Sequence, residues 1–379
     1  MKFFHLIWAN LTRKKLRTTL TIGSFAVALF LFGILTVVHF AFYQGIEIAG
    51  ADRLVVINRT SIIQPLPMSY KEKLSRLAGI EAVTYANWFG GVYQEEKNFF
   101  AQFAIDSETY REMFPEFAIA DEQWQAFLAD REGAVVGKAT AERYGFKLGD
   151  RIPIKGTIFP GTWEFNVRAI YAGTRPGDDQ TQFWFHYKYL DERGPQWIKG
   201  IVGWYTVRIA DPDAAVAVTR AIDDGFANSP YETKTETERA FAASFAKQMG
   251  NIEFLIMTIG GVVFFTLLLV TGNTMAISVR ERTGELAVLK TVGFTDLGVV
   301  LLILGEALLV ALQGGLLGVV LAWGAAPGLA NALPGMTFYL APTQLAGGVA
   351  LAVLVGLLAG ALPALSAMRL RVVDALRRV

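Results

Sequence analysis

The sequence predicts an integral membrane α-helical protein with four transmembrane helices and a large extracytoplasmic α+β domain inserted between helices 1 and 2. Hydrophobic residues make up 53% of the 379 residues and charged residues only 18%, whereas about 25% of a typical soluble domain is charged. Long stretches without Asp, Glu, Lys or Arg occur near the start of the chain and again after Glu253, and charges recur regularly between them. A helix needs about 20 apolar residues to cross a bilayer, and these stretches are long enough.

Composition also excludes several classes of function. The net charge is +1, and binding to nucleic acid requires a clustered positive surface, so we expect no nucleic-acid partner. The sequence contains no cysteine. Disulfides, thiol catalysis and cysteine-based zinc sites are therefore excluded.

Residues 1–17 predict a cytoplasmic amphipathic helix at the membrane interface. Apolar side chains recur on one helical face and a basic cluster follows them: Phe3, Phe4, Ile7, Trp8 and Leu11, then Arg13, Lys14, Lys15 and Arg17. Such a helix lies in the headgroup layer, where its cations contact membrane lipid.

Residues 18–44 predict transmembrane helix 1. A cleaved signal peptide is the alternative, because basic residues precede an apolar run. The run from Thr18 to Phe42 is longer than the usual apolar core of about 7–15 residues, and no A-x-A-like cleavage site follows it. An uncleaved anchor is therefore favoured, and its basic flank places the N-terminus in the cytoplasm.

Residues 45–247 predict one α+β domain, because strand-like and helical patterns are interleaved there. The predicted strands are Leu54–Asn58, Phe99–Asp106, Ala134–Gly137, Arg151–Ile158, Glu164–Ala172, Phe183–Leu190 and Trp204–Ala210. The predicted helices are Ser69–Ala78, Glu122–Ala129, Lys138–Tyr144 and Asp213–Phe226.

One segment of this domain imitates a phosphate-binding loop. Gly133–Thr140 has three residues between its glycines instead of four, and Ala139 stands where a Ser or Thr would hold magnesium. The pattern instead indicates a short strand and a helix that ends at Gly145, a suitable left-handed cap. We therefore predict that this chain binds no nucleotide itself.

No other catalytic or metal-binding constellation is evident. His5, His39 and His186 fall in three different segments and cannot converge on a metal, and Asp178-Asp179 is typical of a solvated turn. The remaining candidate is a tryptophan set that would either line an apolar groove or fill the core: Trp163, Trp184, Trp197 and Trp204. Core packing is favoured because large aromatic residues dominate protein interiors. The chain is predicted not to be an enzyme and to hold no cofactor or metal.

The second membrane block begins with a predicted helical stalk that starts near Thr235 and continues into the bilayer. The predicted segments are transmembrane helix 2 at 248–279, a cytoplasmic coupling helix at 280–294, transmembrane helix 3 at 295–326, a short periplasmic loop at 327–342, transmembrane helix 4 at 343–368 and a tail at 369–379. Basic residues in the coupling helix and the tail place both in the cytoplasm. Both termini are therefore predicted to be cytoplasmic.

Two features inside the spans suggest contacts between helices. Glu306 is an acid in an apolar helix, and a structural hydrogen bond within the bundle is favoured over a proton relay. Glycines with small-xxx-small spacing predict close helix packing: Gly314, Gly318, Gly356 and Gly360.

Residues 280–294 have two interpretations. An amphipathic segment after a span rests on the lipid surface or docks into a cytoplasmic partner. Glu281 and Glu285 stand among cations here, whereas helices that lie on lipid favour Lys and Arg on their polar face. The mixed charge favours docking.

The same residues resemble the MacB/FtsX/LolC-type permease family of ABC transporters, also described as the type VII or mechanotransmission fold. Ser278–Phe294, SVRERTGELAVLKTVGF, is similar to the charged R-x-R-E-I-G-like start and L-x-A-x-G of that family. Gly133–Ile154 resembles its periplasmic core domain. The segment from Pro363 to Arg377 resembles its P-A-x-x-A…A-L-R ending, with Val373 where proline is common.

This resemblance implies a permease subunit in the inner membrane of a bacterial cell. ATP and Mg would be bound by a separate cytoplasmic ATPase, gripped by coupling residues Arg280, Glu281, Arg282, Gly284, Glu285, Leu286, Leu289, Lys290 and Gly293. Motion would pass to the periplasmic domains for export or extraction of a lipid, lipoprotein, peptide or drug.

The resemblance also implies partners. A second permease copy would complete a homodimer, with a heterodimer left open, and a periplasmic adaptor or other periplasmic protein would bind outside. The alternative function is that of an FtsX-like signalling permease, which activates a periplasmic partner such as a cell-wall hydrolase without transport. A secondary transporter is disfavoured because the spans lack a relay of buried acids and bases.

Overall fold

The computed structural model of the chain describes residues 4–175, 177–248, 252–332, 338 and 340–370. These residues form two compact units. The membrane unit contains the described residues within 1–40, 251–328 and 339–379, and the inserted domain contains those within 41–250 and 329–338.

The helices of the described chain include both long apolar ones and short ones within the inserted domain. In chain order they are α1 Phe4–Arg13, α2 Lys15–Ile48, α3 Tyr70–Ser75, α4 Tyr110–Met113, α5 Asp121–Ala129, α6 Lys138–Tyr144, α7 Tyr187–Arg193, α8 Ala215–Gly225, α9 Glu238–Gln248, α10 Ile252–Glu281, α11 Thr283–Thr291, α12 Asp296–Ala332 and α13 Pro342–Met368. Two 3₁₀ turns lie at Gln196–Ile198 and Pro212–Ala214.

Among the described residues, four helices are long and apolar enough to cross a membrane: Lys15–Ala41, Glu253–Glu281, Asp296–Leu329 and Pro342–Met368. They match the predicted spans within a few residues except at one end. The third span was predicted to stop before Pro327, but α12 continues through Pro327 to Ala332. A proline removes one backbone donor, and a helix in a membrane protein tolerates that loss where neighbouring groups compensate. Residues 333–337 and 339 of the predicted loop at 327–342, and most of the predicted tail at 369–379, lie outside the described residues.

The core of the membrane unit is formed by α2, α10, α12 and α13. Phe25 and Leu29 of α2 are fully buried against Val310 and Ala311 of α12, and Leu267 of α10 and Ala352 of α13 belong to the same cluster. The four predicted glycines lie where neighbouring helices approach closely. A Cβ at Gly314 would collide with Ile22 and Phe25, one at Gly318 with Ala26 and Phe30, one at Gly356 with Ala311 and one at Gly360 with Ala307.

The strands all belong to the inserted domain. In chain order they are β1 Arg53–Asn58, β2 Leu66–Pro67, β3 Ile80–Trp88, β4 Gly91–Val92, β5 Gln102–Ile105, β6 Phe117–Ala118, β7 Gly133–Gly137, β8 Arg151–Gly156, β9 Gly161–Gly173, β10 Phe183–His186, β11 Ile201–Val202, β12 Trp204–Ile209 and β13 Thr233–Thr237.

Eleven of these strands form one large mixed sheet in the order β13-β1-β12-β3-β5-β10-β7-β9-β8-β4, with β6 paired to β9, and β2 pairs with β11 in a separate two-stranded sheet. The pairs β5–β10 and β7–β9 are parallel and the others along this order are antiparallel. Successive residues of a strand contribute to two different hydrophobic core clusters of the domain: Val136 belongs to the first cluster and Val135 to the second. The sheet is therefore covered on both faces, which explains the strongly apolar strands β7 and β10.

Among the element predictions that differ from the structure, three have a clear physical reason. The stalk helix begins at Glu238 because Thr235 and Thr237 pair with β1 in strand β13. The predicted strand Phe183–Leu190 ends at His186, and Tyr187 begins α7. Strand β3 was missed because Glu81 and Asn87 interrupt its apolar pattern. Residues 249–251, where the stalk would join the span, lie outside the described residues.

The tryptophans divide between the two predicted roles. Trp163 and Trp184 are buried in the core, each 1% exposed. Trp204 is partly buried and packs against the second hydrophobic core cluster of the domain, to which Trp184 belongs. Trp197 is 62% exposed and stacks on Phe159. Core packing is thus the role of Trp163 and Trp184 but not of Trp197.

Candidate functional site

Residues 280–294 form a reversal of the chain between α10 and α12, which we call the coupling turn. Helix α10 ends at Glu281, and Arg282 leaves the helical conformation before α11 begins. At the far end, Gly293 adopts φ +104° with no atom near its Cβ position. The backbone N–H of Phe294 donates to the carbonyl of Leu289 at 3.0 Å. Glycine is required here because the left-handed backbone ends α11, as is common at helix C-termini.

The inner face of α11 is buried within the membrane unit. Leu286 is 1% exposed and packs with Val299 and Ile303 of α12 and with Ala364 of α13. Leu289 is partly buried against the same cluster. Two of the predicted coupling residues therefore hold α11 on its own helix bundle instead of facing outward.

Lys290 fastens the end of α11 to two other helices. Its Nζ donates to the carbonyl of Met368 at 2.7 Å and to that of Leu370 at 3.2 Å, and it lies 2.7 Å from the carboxylate of Asp296. The side chain is only 9% exposed. A cation at the C-terminal end of α13 also interacts favourably with the helix dipole.

Glu306 accepts hydrogen bonds from two side chains that come from other elements. The guanidinium of Arg282 donates to both carboxylate oxygens, at 2.8 and 3.0 Å, and Nδ2 of Asn10 donates to Oε1 at 2.7 Å. Glu306 is 4% exposed. This acid is therefore a fixed structural partner that ties the coupling turn and α1 to α12, and a proton relay finds no support in this geometry.

The two acids of the coupling turn are paired with the amino-terminal basic cluster. Glu285 forms an ion pair with Arg13. Glu281 lies 2.7 Å from both Lys14 and Arg17, and Arg17 also donates to the hydroxyl of Ser278 at 3.0 Å. Three of the four cations predicted to contact lipid headgroups thus contact acids of this chain.

The outer face of α11 is a small apolar ridge among polar residues. Val288 is 51% exposed and Val292 is 77% exposed. Thr291 is exposed between them in sequence, and Arg280 is exposed at the end of α10. Val288 and Val292 are not among the residues predicted for coupling. Their i, i+4 spacing, which places them on one face opposite Leu286, is the signal that could have indicated this exposed face.

The phosphate-loop imitation in the inserted domain uses three of its backbone donors within the domain itself. The N–H groups of Gly137, Ala139 and Thr140 donate to the carbonyls of Gln182 and Gln180. A Cβ at Gly137 would collide with Gln180. The start of α6 is therefore packed against the residues that precede β10.

Two ionisable groups of the domain, His186 and Asp130, have structural partners. His186 is buried, with Nδ1 2.7 Å from the hydroxyl of Ser107 and Nε2 2.8 Å from the carbonyl of Phe127. Burial lowers the pKa of His186 below its usual value. Burial alone would raise the pKa of Asp130, but hydrogen bonds from Arg168 and Asn166 lower it below the usual range. The described residues contain no group of three or more His, Cys, Asp or Glu that could hold a metal ion.

Comparisons with known proteins identify related sequences for most of the chain. Family models match residues 257–372 as "FtsX-like permease C-terminal" and residues 18–224 as "MacB-like periplasmic core domain". The chain is 34% identical over 154 residues to "Uncharacterized ABC transporter permease YknZ" of Bacillus subtilis (strain 168), which covers 40% of this chain and 38% of that protein. It is 30% identical over 246 residues to "Macrolide export ATP-binding/permease protein MacB" of Shewanella sp. (strain W3-18-1), which covers 60% of this chain and 35% of that protein.

The chain thus spans less than two fifths of the length of these curated relatives. Among solved structures, the periplasmic region of MacB from Actinobacillus actinomycetemcomitans aligns at 13% identity and a TM-score of 0.38, covering 54% of this chain and 97% of that structure.

Proposed function

The chain belongs to the MacB/FtsX-type family of ABC transporter permeases, and from that premise we propose that its coupling turn receives ATP-driven motion from a separate cytoplasmic ATPase. The observation that carries this proposal is the two-sided character of α11. Its inner face is buried on α12 and α13, and its outer face exposes Val288 and Val292. An apolar ridge in a polar rim is the composition expected of a small protein-binding surface.

The contacts of the coupling turn supply a route for that motion through the membrane unit. Leu286 packs on α12 and α13, and Lys290 holds the end of α13. Arg282 reaches Glu306 of α12, and Glu281 holds the start of α2 through Arg17. A displacement of α11 would therefore act on α2, α12 and α13 together, because packed interiors transmit strain.

We propose that the work done outside is export or extraction of a substrate by the inserted domain. The match to the MacB-like periplasmic core domain over residues 18–224 supports export over the signalling alternative. The hydrogen bonds that hold His186 and Asp130 within the domain support a structural role for these two groups over a catalytic one. Lipid, lipoprotein, peptide and drug all remain within the proposed substrate class.

A second permease copy and membrane lipid are the further partners that we propose. Within an apolar stretch of 18 residues of helix α10, only 11% of the residues are buried by the rest of the described chain. Met257, Val262 and Phe265 are each more than half exposed on this helix. Lipid tails and a second copy would cover these side chains in a membrane.

The docking proposal is tested by the double substitution Val288→Asp and Val292→Asp in the full-length permease. Two charges on the apolar ridge would oppose burial against a partner. We expect the ATPase to be lost when the tagged permease is purified from its native membrane. The matched control is Val216→Asp, because Val216 is a 67% exposed valine on α8 of the inserted domain. A double variant that still retains a fully active ATPase would show that the ridge is not the docking surface.

A further inference from the structure

The inserted domain holds the two chain segments that connect it to the membrane helices side by side. The chain arrives through Gly50 into β1 and departs through β13 into α9, and β1 pairs antiparallel with β13, Leu54 opposite Thr237. Both connections therefore meet at one end of the same strand pair. Any movement of α9 reaches the sheet at this point.

A buried ion cluster, Arg53 with Glu116 and Glu238, lies at this end of the domain, and we call it the clasp. Arg53 Nη2 lies 2.6 Å from Oε1 of Glu116, while Nη1 donates to Oε2 at 3.1 Å. Its Nε donates to Oε2 of Glu238 at 2.6 Å. The side chains of Arg53, Glu116 and Glu238 are 6%, 9% and 21% exposed.

Glu238 joins the clasp to both connecting segments at once. It is the first residue of α9, and its Oε2 also accepts from the backbone N–H of Gly50 at 2.8 Å. Arg53 is the first residue of β1 and also packs 4.8 Å above the ring of Phe114. The start of α9 is thus held to the arriving chain and to the loop before β6 by one guanidinium.

Stability alone does not account for this arrangement. Removing three charged groups from water is costly, and replacing a buried ion cluster by apolar residues is often neutral or stabilising. Two carboxylates share one guanidinium here, and burial alone would lower the pKa of Arg53, although Glu116 and Glu238 together raise it. The planar guanidinium adds geometric specificity, because its N–H groups point in fixed directions and hold both carboxylates in defined positions.

The opposite end of the same strand pair offers a contrast. There Arg59 pairs with Glu232 at 2.8 Å, but the two side chains are 67% and 35% exposed. An ion pair that is so exposed to solvent contributes little to holding its two side chains together. The buried pairing is therefore confined to the end where the chain connects to the membrane helices.

We propose that Arg53 is a positioning residue that locks the start of α9 to the sheet, so that a displacement of α9 moves the inserted domain as one rigid body. This inference rests on the proposed coupling function, since it supplies the last link from the membrane to the domain. It assigns Glu116 and Glu238 as the two anchors of that lock. The sheet then follows α9 instead of yielding at the joint.

The test uses spin labels on the full-length permease. The sequence has no cysteine, so Ala240→Cys on α9 and Arg76→Cys after α3, both at exposed positions, would carry the only labels. With the labelled permease diluted in excess unlabelled permease, so that a labelled copy pairs mainly with an unlabelled one, double electron–electron resonance should give one narrow distance distribution. The clasp is then removed by Arg53→Met, Glu116→Leu and Glu238→Gln, where the glutamine retains an acceptor for Gly50.

In the triple variant we expect a clearly broadened distribution and a thermal midpoint close to that of the parent. The single variant Arg53→Met should have a lower midpoint, because it leaves two carboxylates without their cation. Arg59→Met, the matched control at the exposed end, should leave the distribution narrow. A narrow distribution in a folded triple variant would overturn the proposal. The measurement needs no ATPase, so its failure would leave the docking of an ATPase on α11 untouched.

Discussion

The closest contacts in the two units of this chain involve different kinds of residue. The inserted domain buries large aromatic side chains, with Trp163, Trp184 and Phe165 at 1% exposure or less. The membrane unit brings its helices together at Gly314 and Gly318, where a Cβ would collide with the neighbouring helix. Aromatic side chains therefore dominate the core of the domain, whereas in the membrane unit glycines allow helices to approach beside larger buried side chains such as Phe25 and Leu29.

The difference follows from the solvent of each unit. In water, burial of aromatic surface is favourable in proportion to the area removed from solvent. In a bilayer the lipid tails are as apolar as the side chains, so helices associate through close packing of small residues. Removal of volume should therefore damage the domain most, and addition of volume should damage the membrane unit most.

The largest expected effect is that of Trp163→Ala in the domain. It deletes a fully buried indole and its hydrogen bond to the carbonyl of Phe159, which spans 3.0 Å. We expect a loss of about 3–5 kcal/mol in the free energy of unfolding, measured by denaturant titration of the purified permease with domain tryptophan fluorescence. Trp197→Ala is the control because Trp197 is 62% exposed. Equal losses in both variants would contradict the assignment of the core.

The opposite change is expected to damage the membrane unit. Gly318→Val places an isopropyl group where the backbone of Ala26 and Phe30 approaches α12. Overpacking of this kind costs about 1–3 kcal/mol, which should appear as a lower thermal midpoint in detergent. Gly324→Val makes the same change on the same helix, at a position where an added Cβ would have no neighbouring atom within 4 Å. If both variants melt together, the close contact between α2 and α12 does not hold the unit.

Much of this architecture could be predicted from local patterns. The four apolar runs and the alternation of strands and helices are periodic signals that depend on neighbours in sequence. Strand β3 was missed because its Glu81 and Asn87 break that pattern, and its place between β12 and β5 is set by distant strands. The passage of α12 through Pro327 was missed for a similar reason, since a proline locally predicts an end.

The candidate site was predicted in composition but not in orientation. The charged residues of the coupling turn were identified from sequence, yet Arg17 and Glu281 are 264 positions apart and nothing local indicates that they pair. Leu286 and Val288 are both apolar residues of α11, and only the neighbouring helices decide that one is buried and the other exposed. The clasp was not predicted, because its three members come from separate segments.

A pH dependence should further distinguish the two units. His186 is buried in the domain and its pKa is lowered, so the folded state favours the neutral imidazole. The unfolded chain binds a proton near pH 6.5, and stability should therefore fall as the pH drops below that value. His186→Gln should flatten this part of the stability–pH curve, followed by the thermal midpoint of the domain between pH 7 and 5. If the stability of the variant fell with pH as steeply as that of the parent, His186 would not be the cause of the pH dependence.

The smallest expected effect concerns the exposed ion pairs of the coupling turn. Glu281 and Glu285 are 40% and 46% exposed in their pairs with Arg17 and Arg13, so each pair should contribute little to stability. Neutralisation by Glu281→Gln and Glu285→Gln should lower the thermal midpoint slightly at low salt. The loss should vanish near 1 M salt, where the Debye length is about 3 Å. Glu72→Gln in the domain, whose pair with Arg76 is 81% and 82% exposed, should have less effect at either salt concentration. If the thermal midpoint of the double variant stayed low at high salt, the two acids would be shielded from solvent. Their ion pairs would then resemble the buried pair of Arg282 and Glu306.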